Sequence, residues 1–138
     1  MKVTIKSTIK VVNNNDKVQG VVYDAVKDYT ADLRAVSISR TPYRKGNLES
    51  SSTSKVTNGT KVVGEVGFLA KNKDYNYAVK MHDSNYNLGA ESRRKKAKRS
   101  KYSQKAFKVG KGYLVETANA CRKGYEDDLA ERLDKLLK

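Results

Sequence analysis

The stretch Thr41-Pro42-Tyr43-Arg44-Lys45-Gly46-Asn47-Leu48-Glu49-Ser50-Ser51 separates a long helical pattern from a strand-like one. Pro42 has no N–H to continue a helix, and its ring pushes Thr41 toward an extended backbone. Gly46 permits a positive φ, and Leu48 is the first residue suited to a buried strand face. These residues predict a helix-to-sheet corner whose structural residues are Pro42, Gly46 and Leu48.

Upstream of the corner, Val18, Val22, Ala25, Tyr29, Leu33 and Val36 recur at steps of three and four from Asp16 to about Ser39. That spacing is one face of a helix. Asp24, Asp28 and Asp32 follow each other at i, i+4 on another face and are placed toward water. Several β-branched valines weaken the intrinsic propensity, so packing on a sheet must stabilise the helix. Before it, Val3, Ile5, Ile9 and Val11 alternate with Lys and Thr, a half-buried strand over residues 2–12. Asn13-Asn14-Asn15-Asp16 supplies a turn and N-caps.

Downstream, residues 48–57 and 61–69 read as strands joined through Asn58-Gly59, a strong hairpin signal. Ser50, Ser51, Ser52, Thr53 and Ser54 occupy positions where a strand normally carries larger side chains. They suit a plain polar edge strand, or an edge kept bland until another subunit pairs with it. At the far end Leu114, Ala118, Cys121, Tyr125, Leu129, Leu133 and Leu136 form a second helical stripe from about Gly112 onward. Asp128–Arg132, Glu131–Lys135 and Asp134–Lys138 add i, i+4 pairs in the favourable order. Residues 84–112 are poor in apolar side chains, with Tyr102 to Val109 a candidate short returning strand. The expected architecture is α+β: one domain over residues 1–138, a small antiparallel sheet with two long amphipathic helices packed on one face. A long basic loop or hairpin arm spans about 84–112.

The 138 residues carry a formal charge of +14, with 38% hydrophobic residues, no Trp, two Phe and nine Tyr. That core is thin, and tyrosines favour half-buried or interface positions. The basic character is local. Ten Lys or Arg and no Asp or Glu lie between Ser92 and Val115, leaving 19 basic against 15 acidic residues elsewhere. Seven of the nine residues from Arg93 to Lys101 are cationic: Arg93, Arg94, Lys95, Lys96, Lys98, Arg99 and Lys101. Mutual repulsion predicts a mobile arm until an anionic partner meets it. Nucleic-acid phosphates, an acidic protein patch and solvent alone each fit that composition. With no zinc-ligand spacing and only Tyr102 beside the run, sequence-specific base reading is not expected.

Little in the chain carries catalytic chemistry. His82 and Asp83 are adjacent, but Cys121 sits on the buried stripe of the last helix, where it fills space as a small apolar side chain. His82 has no companion ligands for a metal, and Gly64-x-x-Gly67 lies inside a strand pattern without the Lys of a phosphate loop. No enzyme, metal or cofactor is expected. One unpaired Cys fits a reducing compartment. No apolar run approaches the roughly 18 residues of a membrane span, and the alternating N-terminus is not a secretory leader.

The corner residues Pro42, Gly46, Leu48 and Ser50 resemble the proline–glycine–leucine–serine corner of the neck and tail-completion proteins of long-tailed bacteriophages. These head–tail joining proteins are also classed as minor capsid proteins. Tyr77-Ala78 followed by Asp83 resembles the family's second signature, and Gly112-Tyr113-Leu114 introduces a closing helix in the matching place. The resemblance implies a non-catalytic α+β subunit, made in the host cytoplasm and carried in the virion. It would assemble as a ring, hexamer or dodecamer, between capsid and tail, contacting neck, portal-adaptor or tail proteins. For the basic arm it favours an acidic neighbouring subunit, with non-specific DNA contact second. The alternative is a basic nucleic-acid-binding module using residues 93–111.

Overall fold

A computed structural model describes residues 5–12, 16–42, 47–59, 61–69, 71–72, 75–84 and 86–137. In chain order they form β1 (Ile5–Val12), α1 (Asp16–Arg40), α2 (Asn47–Ser50), β2 (Ser52–Asn58) and β3 (Lys61–Phe68). Then come β4 (Lys71–Asn72), β5 (Tyr75–Asn76), α3 (Tyr77–Asp83), α4 (Ala90–Arg94) and α5 (Val115–Leu137). The class is α+β, as expected. The main sheet is antiparallel with order β1-β3-β2, and β4 and β5 form a separate two-stranded ribbon.

β3 is central because it is the apolar strand: Val62, Gly64, Val66 and Phe68 alternate onto a buried face. α1 lies across that face, with Val22 and Val26 against Val62, and Leu33 in a cluster with Val66 and Phe68. Gly64 allows this approach, since a Cβ there would overlap the Thr30 hydroxyl and press on Val26. α5 runs along α1, burying Cys121 and Tyr125 against Ala25 and Tyr29, and its Leu129 and Leu133 reach the Val22–Val62 cluster. Apolar burial at roughly 25 cal/mol per Å² stabilises both contacts, and Leu129 packs against both the seam and the Val22–Val62 cluster.

The corner differs in detail. Leu48 is buried, at 1% exposure, but on the helical turn α2 rather than in a strand. The Ser51 hydroxyl and N–H both donate to the Leu48 carbonyl, at 2.7 and 3.2 Å, closing the turn before β2 begins. Serine readily makes such local bonds, an alternative to ladder pairing that the strand reading overlooked. Pro42 is buried after α1; Gly46 lies outside the described residues.

Of the expected loop or hairpin arm the structure has the loop: no hairpin forms among the described residues of 84–112, and no strand forms from Tyr102 to Val109. After α4, residues 95–110 instead run as an irregular, largely extended strap laid over α1 and α5 and fastened along its length. The expectation of an unattached arm fails because the body supplies the anchors that the run itself lacks.

Candidate functional site

The strap begins at the C-terminus of α1, where backbone carbonyls are left without intrahelical donors. Lys95 Nζ donates to the carbonyls of Ile38 and Thr41, at 2.8 and 2.6 Å, and pairs with Glu49 of α2. A cation at a helix C-terminus also meets the negative end of the helix dipole. This member of the predicted arm therefore has a structural task, tying corner, helix and strap together. Three residues on, the Lys98 N–H donates to Ser39 Oγ at 2.7 Å.

Asp32 fastens the middle. It accepts from the Ser100 hydroxyl, from the Lys101 N–H at 3.1 Å and from the Tyr125 hydroxyl at 3.0 Å. It is 9% exposed, so its expected place toward water is corrected. It lies three residues after Tyr29 and is covered by strap and α5 together. Beside it Tyr29, Tyr102 and Tyr125 form a closed set of rings. Tyr29 stacks on Tyr125 at 4.8 Å, and Tyr102 meets both edge-on at 5.1 and 5.2 Å. Burial holds the Tyr29 and Tyr125 hydroxyls well above the usual range; Asp128 adds to it for Tyr29, and Cys121 and Asp32 for Tyr125. Gly124 makes the arrangement feasible, because a Cβ there would overlap the Tyr102 carbonyl.

Arg40 holds the far end. Its guanidinium donates to the Lys108 carbonyl at 2.8 Å, to Thr117 Oγ1 at 2.7 Å and to Glu116 at 3.1 Å. The Gly110 N–H donates back to the Arg40 carbonyl at 2.8 Å, and the Phe107 ring lies 4.9 Å from the guanidinium carbon. Burial lowers the Arg40 pKa and Glu116 opposes that shift. Arg40 was not singled out from the sequence, since a basic residue in a last helical turn is ordinary dipole chemistry. Gly124 carried a readable signal: a glycine inside a helical stripe costs about 1 kcal/mol relative to Ala, so it marks a packing need.

With Ser92, Lys95, Ser100 and Tyr102 turned inward, the other cations of the run point out. Arg93, Arg94, Lys96, Lys98, Arg99 and Lys101 are all exposed. None has an ion pair with the described residues. Six of the seven predicted arm residues are thus exposed, two at the end of α4 and four on the strap. A cleft of about 560 Å³ separates Arg99 and Lys101 from Asp127, Asp128 and Glu131 of α5.

His82 and Cys121 do not meet. The Val115 N–H donates to His82 Nε2 at 3.0 Å, capping α5, and the ring's Nδ1–H faces Asp83 at 2.7 Å. That N–H bond assigns the tautomer. Cys121 lies about 9 Å further along the same helix by rise, where burial pushes its thiol pKa up and the neighbouring Ser100 and Tyr125 hydroxyls partly offset that shift. A cleft of about 620 Å³ adjoins His82, Lys105 and Glu116, but the imidazole nitrogens are already engaged.

Among the described residues no group of three or more His, Cys, Asp or Glu is placed to hold a metal ion. No helix among them is long and apolar enough to cross a membrane. The chain matches no family model, and no curated protein or solved structure matches it.

Proposed function

We propose that the chain is a non-catalytic structural subunit of a phage head–tail connector, assembling as a ring and joining capsid to tail in the virion. The observation that carries this reading is the bare edge of β2. This strand lies at the border of the main sheet. It exposes most of its side chains, with Ser52 buried and Val56 half-buried. No strand among the described residues pairs with its outer side, and Lys55 is the one charge on it; proline and further charge, with which natural monomers normally block a strand from another chain, are lacking. The order of α1, corner, hairpin, Tyr77-Ala78 segment and closing helix agrees with the family resemblance. The engagement of His82 at α5 and of Cys121 in the tyrosine seam agrees with a role without catalysis.

Mass spectrometry of purified virions and tail intermediates tests the reading, alongside native mass measurement of the purified chain at low and high salt. The chain is expected in the particle and in closed rings, by itself or with neck and tail partners. Its absence from virions would overturn the proposal. So would a chain that stays monomeric under every condition, including with those partners.

A further inference from the structure

We infer that the outward ridge of the strap is a docking surface for the phosphate backbone of duplex DNA, bound without regard to sequence. The inference goes beyond the connector reading and does not depend on it. It rests on how the strap is sorted. The side chains turned inward are Ser92, Lys95, Ser100 and Tyr102, and Arg94, Lys96, Lys98, Arg99 and Lys101 remain exposed without ion pairs. The segment beneath them is held by the Lys95 side chain on the Ile38 and Thr41 carbonyls, by Ser39 at the Lys98 N–H and by Asp32 at the Lys101 N–H. The repelling cations are therefore held on one short anchored segment, and little backbone entropy is lost when a ligand arrives.

Linear charge is what a nucleic-acid strand offers. Seven residue steps from Arg94 to Lys101 span at most about 25 Å, since each extended residue covers about 3.3–3.6 Å. One strand of duplex presents about seven phosphates over that axial length, at one per 3.4 Å. Five outward cations against about seven phosphates is a close match in charge density. A second copy of this chain is a poor partner, because each copy carries +14. Unstacked single strands are also disfavoured: the one aromatic residue in this part of the strap, Tyr102, is packed between Tyr29 and Tyr125 and offers no platform for a base. The outward side chains from Arg94 to Lys101 are Lys and Arg, which contact phosphates without base-edge readout here. Asp127, Asp128 and Glu131 face both Arg99 and Lys101 across the cleft, so the duplex should lie toward the Arg94–Lys98 side.

Fluorescence anisotropy with a labelled 24-base-pair duplex of arbitrary sequence tests the assignment on the full chain. Micromolar binding at 50 mM salt should weaken by about 500-fold at 200 mM, the effect of about five phosphate contacts. Replacing Arg94, Lys96, Lys98 and Arg99 by Ser should leave the thermal midpoint within about 2 °C and weaken binding by more than about 100-fold, with a flatter salt slope. A control with Lys27, Lys55, Lys61 and Lys123 replaced by Ser loses the same charge elsewhere and should bind within about 10-fold of the parent. If the quadruple ridge variant fails to fold, the pair Lys96→Gln and Lys98→Gln should still cost about two contacts of slope. Equal weakening by ridge and control variants would assign binding to the field of the whole molecule and overturn the inference. No binding up to about 100 µM at low salt, where non-specific binders of this kind are saturated, would also overturn it. Tighter binding to a polyglutamate peptide or to single-stranded DNA than to the duplex would do the same. A missing ring leaves this result untouched, and a missing duplex affinity leaves the connector reading untouched.

Discussion

Strand β2 and the strap are both short of apolar side chains, yet β2 lies bare on the border of the sheet while the strap is fastened along much of its length. β2 is held by its ladder with β3, and most of its side chains do nothing for the fold. The strap has no ladder. Its anchors are single polar groups reaching from α1, namely Ser39, Asp32 and Arg40, together with its own Lys95 and the tyrosine seam. A polar segment can thus be ordered by backbone pairing that leaves its side chains free, or by side-chain bonds that leave its backbone irregular. Only the second is destroyed by point substitutions, and that contrast can be tested.

The largest loss is expected at Arg40. Arg40→Ala removes the donor shared by the Lys108 carbonyl, Thr117 and Glu116 and strips the cation from above Phe107. Breaking a buried, hydrogen-bonded ion pair costs about 3–5 kcal/mol; Glu116 is about half exposed, which favours the lower end. Urea denaturation should show the loss, and amide exchange should quicken in residues 105–112. A loss below about 1 kcal/mol would mean the strap stands without this anchor.

Leu48→Ala follows, at about 2–4 kcal/mol for a buried leucine. This side chain lies under the corner that Lys95 ties to the strap through Glu49, so part of the strap should loosen with it. A denaturant midpoint unchanged within error would show that the corner is independent of the strap.

Alkaline pH loads the tyrosine seam. The folded-state pKa values of Tyr29 and Tyr125 are raised, mainly by burial, so the folded chain keeps these phenols neutral while the unfolded chain ionises them near pH 10. Their stabilisation is complete below about pH 10 and is lost as pH climbs above it. Two such groups give about 2.7 kcal/mol per pH unit. Tyr125→Phe should roughly halve that slope. A wild-type midpoint that does not move between pH 10 and 11 would contradict the closed seam.

Asp32→Ala should cost about 1–3 kcal/mol, because the Ser100 and Tyr125 hydroxyls and the Lys101 N–H lose their common acceptor. Faster exchange should spread from residues 100–102 while β2 stays protected. Equal loosening of both segments would erase the distinction between them.

The elements with periodic apolar patterns were legible: α1, β3 and α5 appear close to their expected limits, because one buried face dictates a period of 3.6 or 2, whereas polar β2 begins four residues later than expected. The strap was not legible, for a physical reason. Its stability resides in pairs far apart in the chain, Asp32 with Ser100 and Arg40 with Lys108, and no local period records such pairs. Counting like charges from Arg93 to Lys101 suggested a free arm because Lys95, the inward member, has its counter-charge on Glu49 in another element. The outward ridge was visible in composition; that its backbone is fixed was not. Gly124 alone hinted that something presses on α5.

The smallest effect is expected on β2. Thr53 and Thr57 are exposed and lie on the strand bordering the sheet, so Thr→Val at both should change stability by no more than about 0.5 kcal/mol, the usual range for surface positions. Valine keeps the β-branched shape, and strand propensity is nearly unchanged. What should change is association, because apolar side chains on an edge guarded by Lys55 alone invite another strand. Light scattering should therefore show a rise in self-association at unchanged melting temperature, the reverse of the pattern at Asp32 and Arg40. Replacing both by Lys should give the opposite result, a soluble monomer that fails to join a ring, since charge on an edge strand blocks pairing. Should the Lys variant assemble as readily as the parent, the β2 edge would not be the subunit contact, and the comparison between a segment held for folding and one left for assembly would lose its second half.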